Sequence, residues 1–170
     1  MGLALWRWPK AFPRTACGCL ALTGLGYRSL FRGGSGRLII VGDVHGCSEE
    51  LKDLLQAVHF TQEDEPVFVG DLIGKGPSPR EVVRMARRYG ARAVQGNHEY
   101  NLLAWRQRGA PLPDPLGQIK EEYAATVQDL EEEDWQWLAA RPLTLKLSLP
   151  QPLLVVHAGL VPGEDDLLSL

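Results

Sequence analysis

The stretch LIIVGDVHG, residues 38–46, turns four consecutive aliphatic residues directly into a glycine, an aspartate and a histidine. A run without alternation fits a strand buried on both faces of a sheet, and the change at Gly42 marks the end of that strand. The same change recurs three times: residues 66–69 run into GDLIGKG, 91–94 into QGNHE and 153–156 into HAGL. Helical patterns separate the first three runs. Ser48 precedes a segment with Leu51, Leu54, Leu55 and Val58 at helical spacing and Glu49 and Glu50 at its positive end. Ser78, Pro79 and Glu81 read as a capped start with reciprocal bonds between Ser78 and Glu81, and Gly90 reads as the stop. Alternating strands and helices predict βαβ units, an α/β fold with a mostly parallel sheet flanked by helices, and polar residues gathered at the carboxyl ends of the strands.

Around this region the chain changes character. Residues 1–42 carry six of the 18 Lys and Arg and no Asp or Glu, which leaves 12 basic against 21 acidic groups, a net charge of −9, in the remainder. Two segments follow: a basic leader or tail over 1–37, joined through the glycine-rich hinge 33–36, and a domain over 38–170. The leader fits organelle targeting, a signal segment or an unstructured tail; without import the protein would be cytoplasmic. Its uncharged stretch, residues 16–27, is too short to span a bilayer, so no transmembrane helix is expected. The acidic domain argues against DNA binding through a general basic surface. Cys17, Cys19 and Cys47 form no even framework, and a disulfide-free domain is expected.

Downstream, prolines at 111, 113 and 115 predict a surface connection, followed by a helical pair over 119–140 in which Trp135, Trp137 and Leu138 pack. Two adjacent strands are expected over 142–149 and 152–156. Arg80, Arg84, Arg87 and Arg88 line one side of a helix, either as a solvated face or as a rail for a polyanion. His59 reads as structural.

The strand ends hold the chemistry. Asp43 and His45, Asp71, Asn97 and His98, and His157 each follow an apolar run. An Asp or Asn after glycine is often only a turn residue, but four strand ends bearing metal-capable groups exceed what turns require. Asp43 to Asp71 is 28 residues and Asp71 to Asn97 is 26, each the length of one βαβ unit. Carboxylates mixed with imidazoles suit Mn, Fe or Zn, and a carboxylate between two such ions can bridge them.

In that order, GDVHG, GDLIGKGP, GNHE and VHAGL resemble the signatures of calcineurin-like metallophosphoesterases, over residues 39–161, and within them the diadenosine tetraphosphatase and ApaH-like branch. The resemblance implies two divalent metal ions, with Asp43 and His45 on the first, Asp71 bridging, and Asn97 and His157 on the second. It implies His98 as general acid and Lys75 as a charge-neutralising catalytic residue, acting with metal-activated water on a phosphoanhydride such as a dinucleoside polyphosphate or polyphosphate. Glu99 is expected to begin or cap the following helix. Ser/Thr protein phosphatases have Asp and Arg where Gly74 and Lys75 stand, which disfavours a protein substrate. The family's last metal-binding histidine has no counterpart after His157, so an incomplete second site, a truncated sheet sandwich and an inactive phosphate-binding or regulatory fragment are the competing expectations. The oligomeric state is left open.

Overall fold

The computed structural model describes residues 21–23, 36–108, 123, 126–149 and 152–160. Cys17, Cys19, most of the expected hinge, the proline-rich connection and the start of the helical pair lie outside the described residues. Strands β1 (Ala21–Thr23), β2 (Leu38–Val41), β3 (Glu65–Phe68) and β4 (Arg92–Ala93) form one sheet in that order. β2, β3 and β4 are parallel, as the βαβ pattern predicts, and β1 pairs antiparallel to β2 from within the uncharged part of the basic segment.

A second sheet holds β5 (Thr144–Leu147) and β6 (Leu153–Val156), paired antiparallel. The expected adjacency of these two strands holds. The fourth apolar run, however, is not a fourth parallel strand: the five residues between β5 and β6 can join only antiparallel neighbours, since a parallel return needs a crossover of a dozen or more.

Between β2 and β3 lies helix α1 (Ser48–Ala57), and between β3 and β4 lies α2 (Pro79–Arg88). Both cover one face of the parallel sheet, where Ile39, Val41, Phe68 and Ala93 meet Leu51, Leu54, Val82 and Met85. On the opposite face Val67 and Val94 meet Leu147 and Val155 of the second sheet. Val67 and Phe68 are adjacent yet fully buried in different cores, which is why the run has no polar alternate. Each such large side chain contributes about 1.5–3 kcal/mol on leaving water. Helices α3 (Asn97–Arg108) and α4 (Glu132–Ala139) close a third cluster around Leu102, Trp135 and Leu138, so those two residues pack as expected.

Helix ends depart from expectation at one point. Ser78 is the N-cap of α2 but makes no side-chain cap bond. Its N–H donates to the Gly46 carbonyl at 2.9 Å, so the amide that Glu81 would satisfy is already used, and the Arg80 N–H donates instead to Asp129 Oδ2 at 3.2 Å. Gly90 does stop α2, with φ +62 and the Ala91 N–H donating to the Ala86 carbonyl. His59 ends α1 in the same way at φ +50, and its carbonyl accepts a bond from Arg37.

Three arginines of the α2 stripe are paired with acidic residues at the start of α4, and Arg88 is exposed to solvent. Arg80 and Arg84 pair with Glu131, and Arg87 pairs with Glu133 at 2.7 Å and with the fully buried Asp134. Among the described residues no helix is long and apolar enough to cross a membrane.

Candidate metal centre

The loops after β2 and β3 are zipped together before any side chain is considered. The Val44 and His45 N–H groups both donate to the Asp71 carbonyl, at 3.0 and 2.8 Å, and the Gly46 N–H donates to Leu72 at 2.7 Å. His45 and Asp71 have φ of +49 and +51. The left-handed region costs a residue with a Cβ roughly 1–2 kcal/mol, and such strain persists where surrounding contacts over-determine the backbone.

That backbone turns the side chains toward one point. Asp71 Oδ2 lies 3.7 Å from His45 Nε2, 3.5 Å from His157 Nε2 and 4.0 Å from His98 Nε2. Asp43 lies 3.8 Å from His45 and 4.0 Å from His157. Asn97 Oδ1 stands 3.0 Å from His157 Nε2, and Lys75 Nζ 3.3 Å from His45 Nε2. All seven residues singled out in the sequence therefore meet. His157 reaches the site from the second sheet, with its Nδ1 2.8 Å from the Val69 carbonyl. His45 Nδ1 likewise faces the Ile73 carbonyl at 3.2 Å.

With Nδ1 facing these carbonyls, both rings turn Nε2 toward the Asp71 carboxylate. These Nε2 atoms and carboxylate oxygens stand 3.5 to 3.8 Å apart, with the Lys75 ammonium 3.3 Å from His45 Nε2, a cluster that a metal ion could join. The donor set fits a divalent metal. Two triads, His45–Asp71–His98 and Asp43–Asp71–His157, each bring their ligand atoms within 4.8 Å of one another, and Asp71 belongs to both. On distance alone His98 groups with His45 and Asp71, a capacity its expected role as acid did not anticipate.

Two features escaped the sequence reading. Glu99 does cap α3, accepting the Gly96 N–H at 2.8 Å, but it is also fully buried and accepts the N–H groups of Asp71 and Ile73 at 2.8 and 3.0 Å. Burial pushes its carboxyl above the usual range, opposed by these amides and reinforced by the Asp71 charge. Gly74, at φ +115, lies against the His98 ring so closely that a Cβ would overlap Nδ1. An early-turn Glu announces a cap and a loop Gly announces a turn; neither announces a tertiary partner.

Fold and site together define an α/β protein that gathers carboxylates and imidazoles able to hold a metal at its strand ends. Residues 36–169 match the model of the calcineurin-like phosphoesterase family, and the chain belongs to that family. It is 38% identical over 129 residues to the symmetrical bis(5'-nucleosyl)-tetraphosphatase of Hamiltonella defensa subsp. Acyrthosiphon pisum, covering 74% of this chain and 45% of that protein. The enzyme of the same name from Pectobacterium carotovorum is 37% identical, with 74% and 44% covered. Among solved structures, a provisionally assigned diadenosine tetraphosphatase superposes with TM-score 0.63 at 39% identity, covering 75% of this chain and 52% of that one. A metallophosphoesterase from Sphaerobacter thermophilus gives TM-score 0.51 at 27% identity, covering 65% and 43%. The chain thus spans somewhat less than half the length of the curated relatives it matches.

Proposed function

We propose that the chain carries the metal site of a phosphoesterase that hydrolyses phosphoanhydrides of the dinucleoside polyphosphate kind. The observation that supports this most directly is the position of Asp71, whose carboxylate faces three imidazole Nε2 atoms and is common to both ligand triads. In this reading Asp43 and His45 would hold one divalent ion and Asn97 and His157 the other, with Asp71 shared between them, and Mn, Fe or Zn would suit such mixed donors. Bound cations would lower the pKa of a water and neutralise charge on the phosphoryl oxygens.

The chain's own residues do the rest. Lys75, exposed at the mouth, binds the non-bridging oxygens of the phosphate as a point charge. His98 donates the proton that the leaving phosphate oxygen requires, its ring backed by Tyr123 at a centroid distance of 5.7 Å and by His45 at 4.7 Å. Gly74 leaves no space for a carboxylate beside His98, in keeping with a phosphoanhydride, whose leaving group is a better one than a protein alkoxide. The names of the relatives support diadenosine tetraphosphate as the substrate to try.

The test is Mn²⁺-dependent hydrolysis of diadenosine tetraphosphate by the full 170-residue chain, with Asp71→Asn as control. Turnover in the wild type that the control loses is the expected result. Turnover that survives Asp71→Asn would refute the bridging role, and Mn²⁺ binding without turnover would turn the reading toward phosphate binding.

A further inference from the structure

We propose that Glu99 is a positioning residue that assembles the metal centre before any cation binds. The inference rests on the functional reading above, since it takes Asp71 as a ligand. Glu99 has no exposed surface, and its two oxygens accept three main-chain N–H groups: Asp71 and Gly96 on Oε2, Ile73 on Oε1. Both oxygens are used as acceptors, two donors on Oε2 and one on Oε1, a pattern that an amide of the same size cannot match because its NH₂ would face an N–H. A helix cap needs the Gly96 bond alone. The bonds to Asp71 and Ile73 reach back 28 and 26 residues into the loop after β3 and serve a different purpose.

The loop after β2 holds the carbonyls of Asp71 and Leu72, and Glu99 holds the N–H groups of Asp71 and Ile73. Gly70 and Asp71 both have positive φ, so the chain has left strand geometry and cannot be held by the sheet ladder. Glu99 fixes the Asp71 main chain, and the Asp71 carboxylate in turn accepts the His98 N–H at 3.1 Å. A closed ring results, Glu99 to Asp71 to His98 and along α3 back to Glu99. It ties the ligand shared by both triads to the helix turn that bears Asn97 and His98. Gly96, between them, lies so close to Asp71 that a Cβ would overlap Oδ1, which leaves the ring no slack. Supporting groups of this kind typically alter metal affinity about 10- to 100-fold when removed.

Glu99→Gln tests the ring in the full chain. Glutamine keeps the shape but turns an NH₂ toward an N–H donor. Mn²⁺ affinity, measured by titration calorimetry, is expected to fall about 10- to 100-fold. Asp129→Ala, which removes the cap of α2 outside the centre, should cost stability and leave Mn²⁺ affinity unchanged. Wild-type affinity in a folded Glu99→Gln protein would overturn the proposal. Wild-type protein that binds no Mn²⁺ would instead sink the metal-centre reading, and the proposal with it. Should Glu99→Gln not fold, amide hydrogen exchange on metal-free wild-type protein decides. The amides of Asp71, Ile73 and Gly96 are expected to be strongly protected, and exchange as fast as an exposed loop would overturn the claim.

Discussion

Gly74 has little freedom to change, for two independent reasons. Its φ of +115 lies where a Cβ is strained, and a Cβ there would overlap His98 Nδ1 and come within 3.3 Å of His45 Nδ1. Gly74→Ala should therefore displace His98, the proposed proton donor. A misplacement on the order of 1 Å can cost about 100-fold in rate. We expect Gly74→Ala to fold, to bind Mn²⁺ more weakly, and to lose about that factor in diadenosine tetraphosphate hydrolysis. Unchanged turnover would mean that His98 is not the proton donor. The glycine was legible in the sequence as a departure at a known position, but not as a packing surface for two imidazoles. That Asp43, His45, Asp71, Asn97 and His157 meet was legible because metal-capable residue types recur at strand ends and the first three of those ends are one βαβ period apart. Glu99 was legible only as a cap, since its partners at Asp71 and Ile73 exist only after β3 and β4 have paired.

At the scale of elements, α2 and α4 are held together by opposite charge. Asp134 is fully buried, pairs with Arg87, and accepts the Glu131 N–H at 3.2 Å within a capping box. Arg84 meets Glu131 at the surface. Removing a partner from a buried pair costs about 3–5 kcal/mol, whereas an exposed pair gives about 0–1. Because Arg87 is partly exposed and retains Glu133, Asp134→Ala should cost about 2 kcal/mol, between those limits, and Arg84→Ala under about 1. Urea midpoints would show the difference. Because these arginines are already paired, Arg84→Ala and Arg87→Ala should change hydrolysis of long and short substrates alike. Selective loss of long substrates would restore the rail. The stripe was visible in the sequence, and so was the acidic run 131–134, but nothing in their separation of some 50 residues says that they face each other. The strands show the same limit. The run 153–156 was rightly read as a strand, while its sheet was set by the short link to β5.

Over the whole molecule, stability and chemistry occupy opposite ends of the strands. The carboxyl ends of β2 and β3 lead to Asp43 and Asp71; their amino ends follow Arg37 and Asp64. Asp64 accepts bonds from the Arg37 amide and guanidinium and from the Thr61 amide, all at 2.8 to 3.0 Å, and the Glu65 N–H donates to the Arg37 carbonyl. Burial alone would raise the Asp64 carboxyl, but these donors outweigh it and bring it from 3.8 to about 2. A depressed carboxyl stabilises the fold above its unfolded value, and the contribution fades as pH falls from about 4 to about 2. Asp64→Asn removes the titrating group, so its urea midpoint should lie furthest below the wild type at neutral pH. The gap should close as the pH approaches 2. A gap independent of pH would assign the loss to shape or hydrogen bonding and not to charge. Because the cluster shares no partner with the metal centre, its loss should add to that of Asp71→Asn with no coupling, and Mn²⁺ affinity should be untouched by Asp64→Asn. Coupling between the two would mean that the strands transmit strain along their length and that the two ends are not independent.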